Sequence, residues 1–155
     1  MPKVTPFLWF DSQAEDAANL YLSIFPEAKK LGELRSAGVG PWPAGAIATI
    51  TIELMGQAVT MLNGGPGHPP TEAFSFSIAC KDRAEIDSYW EKLTEGGSEI
   101  ACGWLKDKFG LCWQVVPENL VELLRHPAAM RAMMAMKKFD VAALEAAAAG
   151  SASME

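Results

Sequence analysis

Two histidines, three cysteines and nineteen carboxylates are the residues of this 155-residue chain that can do acid–base, nucleophilic or metal chemistry. Cys80, Cys102 and Cys112 are odd in number and widely spaced, which makes neither a disulfide framework nor a zinc knuckle. No histidine stands beside any of them in sequence, so they read as small buried hydrophobes. His68 lies in a breaker-rich loop over residues 63–72, where it either overhangs a pocket as a base or hydrogen-bond partner or stands in solvent. His126 precedes Pro127 at a helix end and is assigned no role. Trp9, Trp104, Trp113, Phe74 and Phe76 fall on expected strands, where each either fills the core or lines a flat apolar wall. Trp42, between Pro41 and Pro43 in an otherwise polar loop, reads as a lid or a subunit contact.

The elements that must position these residues follow from periodicity. Val4 to Phe10 is a short run of β-formers. Ser12 and Glu15 have capping-box spacing and open a helix whose apolar residues run from Ala14 to Phe25, with Pro26 as its stop. Strands are expected over 30–37, 46–55 and 58–62. In the middle one Ile50, Ile52 and Leu54 face one side, and Thr49, Thr51 and Glu53 the other. After the loop at 63–72 the order begins again: a strand to Cys80, a helix opened by Asp82 and Glu85, and strands over 99–102, 103–106 and 111–116, the last two joined by a turn at 107–110. The two capping motifs are 70 residues apart, Ser12 matching Asp82.

The sequence thus predicts an α+β fold with two βαβββ modules, about 1–64 and 73–117, and a C-terminal helical extension over 118–149. Together they form one domain, 1–150, ended by Gly150 and a frayed tail over 151–155. The modules can lay their strands into a curved mixed sheet whose concave side is a natural pocket. In the extension Asp140 caps the last helix, with Phe139 and Leu144 as its hydrophobic staple. Met130, Met133 and Met134 share a helical face, read first as core and second as a partner surface.

Half the residues are apolar and 21% are charged, which excludes disorder along the whole chain. A formal charge of −6 without a basic block argues against nucleic acid and anionic membrane surfaces as partners. No apolar run has membrane-spanning length, and Asp11 interrupts the apolar start before a signal peptide can form, so the expected location is the cytoplasm.

Several segments carry a family resemblance over nearly the whole chain: Phe-Leu-Trp-Phe-Asp at 7–11, Tyr-Leu-Ser-Ile-Phe-Pro at 21–26, Met-Leu-Asn-Gly-Gly-Pro at 61–66, Tyr-Trp-Glu-Lys-Leu at 89–93, Cys102 to Pro117, and in the tail Lys-Lys-Phe-Asp at 137–140 and Ala-Leu-Glu at 143–145. Together they closely resemble the PhnB-like proteins of the glyoxalase/bleomycin-resistance/dioxygenase group, the vicinal oxygen chelate superfamily. Members of this family often carry the label 3-demethylubiquinone-9 3-methyltransferase. The resemblance implies paired βαβββ modules and a homodimer. It places the superfamily's four metal-ligand positions at Pro6, Met61, Ser75 and Gln114, residues that suit no divalent cation, so no metal is expected. It also turns Gln114 into the pocket. Trp104 then forms a wall and Asn63 a second anchor, and Trp9 and His68 complete the expected ligand pocket.

The methyltransferase label has no support in the residues. The first strand enters its helix through Asp11-Ser12-Gln13, without the glycine-rich turn that S-adenosylmethionine binding needs, and no other cofactor is implied. The leading expectation is a metal-free protein binding an unidentified small molecule. A metal-dependent lyase, isomerase or dioxygenase, a methyltransferase, and an interaction module without a ligand are the alternatives. Whether Asp11, Glu53, Glu72 or Asp107 brings acid–base chemistry to the pocket is left to the structure.

Overall fold

The computed structural model describes residues 2–153 and divides into two compact units, one ending at Pro70 and the other beginning at Thr71. Each unit has the order strand, helix, three strands. In the first these are β1 (Phe7–Phe10), α1 (Ala14–Ile24), β2 (Lys29–Arg35), β3 (Ile47–Leu54) and β4 (Gln57–Asn63). In the second they are β5 (Ser75–Cys80), α2 (Arg83–Thr94), β6 (Ser98–Glu99), β7 (Trp104–Lys106) and β8 (Cys112–Pro117). The ladders make two four-stranded mixed sheets of identical topology, β1-β4-β3-β2 and β5-β8-β7-β6, with the outer pairs β1·β4 and β5·β8 parallel. The expected duplication is therefore present at the level of hydrogen-bonded register.

Strand alternation sorts the first unit. Leu8, Met61 and Ile50 lie side by side across β1, β4 and β3, and Ile52 pairs with Val59. These residues are buried and face α1, which packs on β3 and β4 through Ala14, Ala17, Ala18 and Tyr21. Phe7, Trp9 and Thr51 alternate to the opposite side, where the Thr51 and Thr60 hydroxyls lie 2.8 Å apart. The first strand is shorter than expected. Pro6 has no N–H to extend the ladder, although its carbonyl accepts from the Thr60 N–H at 3.0 Å, and Val4 is exposed. Edge strand β2 is exposed along its whole length. Lys29, Lys30, Glu33 and Arg35 cover that edge with charge, including a Lys30–Glu33 pair at 2.8 Å.

The two helix starts differ. At α2 the expected motif forms: the Asp82 carboxylate accepts from the Glu85 N–H at 2.9 Å, and Glu85 reaches back to the Lys81 N–H at 2.8 Å. At α1 the Ser12–Glu15 box does not form; the residue before the helix is Gln13, with no side-chain cap of its own. Asn63, at the end of β4, supplies the missing acceptor: its Oδ1 takes the Ala14 N–H at 2.8 Å. A cap from a distant strand leaves no local signature, which is why the spacing at 12–15 misleads.

The turn between β7 and β8 is built on Asp107, a buried carboxylate. Its Oδ1 accepts from the N–H groups of Phe109 (2.9 Å) and Leu111 (3.1 Å), and its Oδ2 from Trp113 Nε1 (2.9 Å). After β8 come α3 (Leu120–Leu123), α4 (Pro127–Met134) and α5 (Val141–Ser153). The expected cap of α5 is present: Asp140 accepts from the Ala143 N–H at 3.1 Å, over buried Phe139 and Leu144. Gly150 does not end this helix, which continues to Ser153; of the expected tail over 151–155, Met154 and Glu155 lie outside the described residues. One glycine in an alanine-rich run costs about 1 kcal/mol, too little to break it. Met130 and Met134 are exposed and Met133 half-buried, so the methionine face is not core.

The extension is fastened at the turn before β7. Cys102 and Gly103 both have positive φ, 57° and 80°, and their N–H groups donate to the carbonyls of Met136 and Lys137 at 2.8 Å. A Cβ on Gly103 would fall 2.2 Å from the Phe139 ring, so glycine is required there on two counts. Lys138 adds an ion pair to Asp87 of α2 at 2.6 Å.

The Asp107 arrangement gives a stability prediction. In Asp107→Asn the amide oxygen can still serve the turn, but an NH2 then faces the Trp113 N–H, and two buried donors oppose each other. The expected loss is about 1–3 kcal/mol, read as a lower midpoint in guanidinium denaturation; an unchanged midpoint would deny the turn its role.

Candidate functional site

In the second unit, cross-strand register pairs Trp104 with Gln114, and Ser77 with Gln114 on the other side. Gln114 Nε2 donates to Ser75 Oγ at 3.0 Å. Trp104, Gln114 and Ser75 are all half-buried, and together they present a flat apolar surface beside a neutral hydrogen-bonding pair. The alternate residues, Phe76, Cys80, Leu105 and Trp113, point to the other side. That side faces α2, which packs on β5, β7 and β8 through buried Ile86, Tyr89, Trp90 and Leu93. Trp113 is fully buried, with its ring 4.9 Å from that of Phe76. The structure thus brings Trp104 and Gln114 together on the sheet face opposite α2, with Trp113 in the core.

In the first unit, Trp9 lies on the sheet face opposite α1 and meets His68 edge to face, ring centroids 4.6 Å apart at 66°. Trp9 Nε1 donates to the Gly65 carbonyl at 2.8 Å, and a Cβ on Gly64 would fall 2.3 Å from the indole. The glycine pair is therefore a seat for this tryptophan. Asn63 has structural work: besides capping α1, its Nδ2 donates to the Ile47 carbonyl at 3.1 Å, and its own carbonyl accepts from Trp42 Nε1. Trp42 is thereby pinned to the end of β4.

The four mapped metal positions do not make a ligand set. Met61 is fully buried on the α1 side of its sheet, and alternation from Leu8 puts Pro6 on that side too. Ser75 and Gln114 lie on the face opposite their helix, so the first two placements are one residue out of step. The residues on the opposite face at that level are Phe7, Thr60 and Leu62, which offer no better donors to a divalent cation. Among the described residues no three His, Cys, Asp or Glu side chains are grouped to hold a metal ion.

The four open carboxylates now have places. Asp107 is taken up by its turn, Glu53 pairs with Lys29 at 3.4 Å, and Glu72 with Lys106 at 3.5 Å. Asp11 lines a cleft of about 640 Å3 in the first unit, at the end of the sheet where α1 begins. Three segments meet there: the start of α1 with Ser12 and Glu15, the loop from Arg35 to Ile47 carrying Trp42, and the turn after Asn63. This cleft is absent from the sequence reading. The proline-flanked Trp42 was the one signal that could have found it.

Cys80 and Cys112 are inert by position. Burial pushes the Cys80 thiol up to about 12, with the charges of Glu85 and Asp82 adding to it, and burial also raises that of Cys112.

The geometry and the comparisons with known proteins agree on the class: a duplicated βαβββ α+β protein of the glyoxalase/bleomycin-resistance type. The family model of 3-demethylubiquinone-9 3-methyltransferase matches residues 2–116, and the chain belongs to this PhnB-like family of the vicinal oxygen chelate superfamily. A Bacillus cereus PhnB protein named as a 3-demethylubiquinone-9 3-methyltransferase is 30% identical, with a TM-score of 0.67 over 74% of this chain and 99% of its own. Protein PA1353 from Pseudomonas aeruginosa is 21% identical (TM-score 0.59, 76% of this chain and 98% of that one). The fosfomycin resistance protein FosX from Listeria monocytogenes is 16% identical (TM-score 0.56, 79% and 96%); these last two share the fold. No protein of curated function matches the chain. The family match stops at residue 116, before α3, so the helical extension lies outside it. No helix among the described residues is long and apolar enough to cross a membrane.

The thiol environments give a direct test. In native protein at about pH 8, Ellman's reagent is expected to titrate at most one thiol, Cys102, and all three after unfolding in guanidinium. Rapid reaction of Cys80 would mean that the strand end is open to solvent.

Proposed function

We propose that this chain is a small-molecule binding protein that works without a metal, holding its ligand on the sheet face at Trp104 and Gln114. The observation that carries this reading is the Gln114–Ser75 hydrogen bond beside Trp104, at positions where the superfamily would place metal ligands. A neutral amide and hydroxyl are poor partners for a divalent cation. They are good partners for an amide, carbonyl or hydroxyl group of a planar organic molecule stacked on the indole. Trp9 and His68 form a second aromatic surface of the same kind in the first unit. The protein acts as a homodimer, as the family resemblance implies, and its expected location is the cytoplasm.

The family's methyltransferase name finds no support in the strand-to-helix turn. β1 ends at Phe10 and α1 begins at Ala14, with no glycine between, while Gly64, Gly65 and Gly67 lie between two strands. The second reading is a metal-dependent enzyme. One Listeria monocytogenes FosX structure, 13% identical to this chain, holds Mn(II) and a dihydroxypropylphosphonic acid.

Elemental analysis after incubation with manganese, zinc, nickel and ferrous salts separates the two readings. Metal content far below one per chain is expected. One tightly held metal per chain would overturn the proposal. In the same samples, a panel of small aromatic amides, read by the Trp104 indole and Gln114 amide NMR signals, should yield binders that Gln114→Leu weakens by about tenfold. Failure of every compound to move either signal would also count against the site.

A further inference from the structure

We infer that the cleft at the end of the first sheet is a second ligand site, and that it takes an organic cation with an apolar body. Its lining includes none of Trp9, His68, Trp104 and Gln114, and it rests on its own observations. All four strands of the unit end at this cleft on the same side: Asp11 follows β1, Arg35 closes β2, Ile47 opens β3 and Asn63 closes β4. Its volume of about 640 Å3 is in the range of small-molecule sites.

The lining states the chemistry. Trp42, half-buried and pinned by its indole N–H to the Asn63 carbonyl, offers a ring whose face attracts cations. Pro41, Pro43 and Pro66 add apolar wall without donors. Asp11 and Glu15 bring two carboxylates, and neither has a cationic partner among the described residues. Arg35 is the cleft's one cation, and it is engaged in part, through a Glu33 carboxylate that it shares with Lys30. Its Nε pairs with Glu33 at 3.3 Å, and one terminal nitrogen donates to the Gly45 carbonyl at 2.9 Å. The positive end of α1 is likewise spent in part, because its first N–H is taken by Asn63. An anion would meet two carboxylates here against one guanidinium that Glu33 and the Gly45 carbonyl already engage in part. A quaternary or protonated amine meets both carboxylates and an aromatic face.

The test uses the whole chain and benzyltrimethylammonium as probe, with benzenesulfonate as the anionic control of similar size. The expected result is a saturable shift of the Trp42 indole N–H signal with benzyltrimethylammonium alone, at about millimolar concentration, weakened by added salt. The double variant Asp11→Asn, Glu15→Gln changes only exposed carboxylates and should lower the affinity at least about fivefold, with a melting temperature lowered by no more than the few degrees that losing an acidic residue from the first turn of α1 costs. Trp42→Phe, which keeps a ring, should retain more of the affinity, by calorimetry, than Trp42→Leu. An equal response to benzenesulfonate, affinity untouched by the double variant, or no saturation at tens of millimolar would each overturn the assignment. None of these outcomes bears on Trp104 and Gln114, which lie in the other unit.

Discussion

Asn63 is the residue through which the first unit holds its shape at the strand ends. One side chain satisfies the Ala14 N–H of α1 and the Ile47 carbonyl of β3, while its backbone sits in the parallel ladder opposite Phe10 and accepts from Trp42. Helix, three strands and loop therefore meet on a single amide. An aspartate could not donate to Ile47, and a leucine could satisfy neither partner. Asn63 also lines the cleft that lies at these strand ends. In the second unit Asp107 does comparable work, tying a turn to the indole of Trp113.

How far this was legible follows from the range of each interaction. Strand alternation is local, and it put Ile50, Ile52 and Leu54 on one face as found. Asp82 and Glu85 act within one helical turn, as do Asp140 and Ala143, so their spacing was a sound guide. The Ser12–Glu15 spacing was equally good and wrong: the helix starts at Ala14 after Gln13, and the side-chain acceptor at that end is the distant Asn63, which takes the Ala14 N–H. Positions carried over from distant relatives fail differently. A one-residue slip turns a strand residue to the other face, which is what happened at Pro6 and Met61. Trp104 and Gln114 were read as neighbours and are cross-strand partners. The cleft at Trp42 is made by segments dispersed over more than fifty residues, from Asp11 to Pro66, and no periodicity marks it.

The aromatic residues show why composition alone does not separate core from site. Trp113 and Trp104 stand on adjacent strands in nearly the same register, yet one is sealed against α2 and the other is half-open beside Gln114. Parity along the strand decides the difference. Trp9 is held by a glycine pair instead of by a packed interior, and that glycine pair is part of a segment that otherwise reads as mere loop.

The two helix caps also bear on the order in which the units can assemble. The cap of α2 spans three residues of chain, from Asp82 to Glu85, and is within reach as soon as that turn exists. The cap of α1 spans 49, from Ala14 to Asn63, and closing a loop of that length carries an entropic cost that a local cap avoids. Duplicated modules with the same topology thus have different kinetic characters. The second contains a helix that can nucleate by itself, while the first completes its helix only when β4 has docked against β1 and β3. In a chain emerging from synthesis with its N-terminus first, α1 must therefore wait for about forty residues of later sequence before its end is closed.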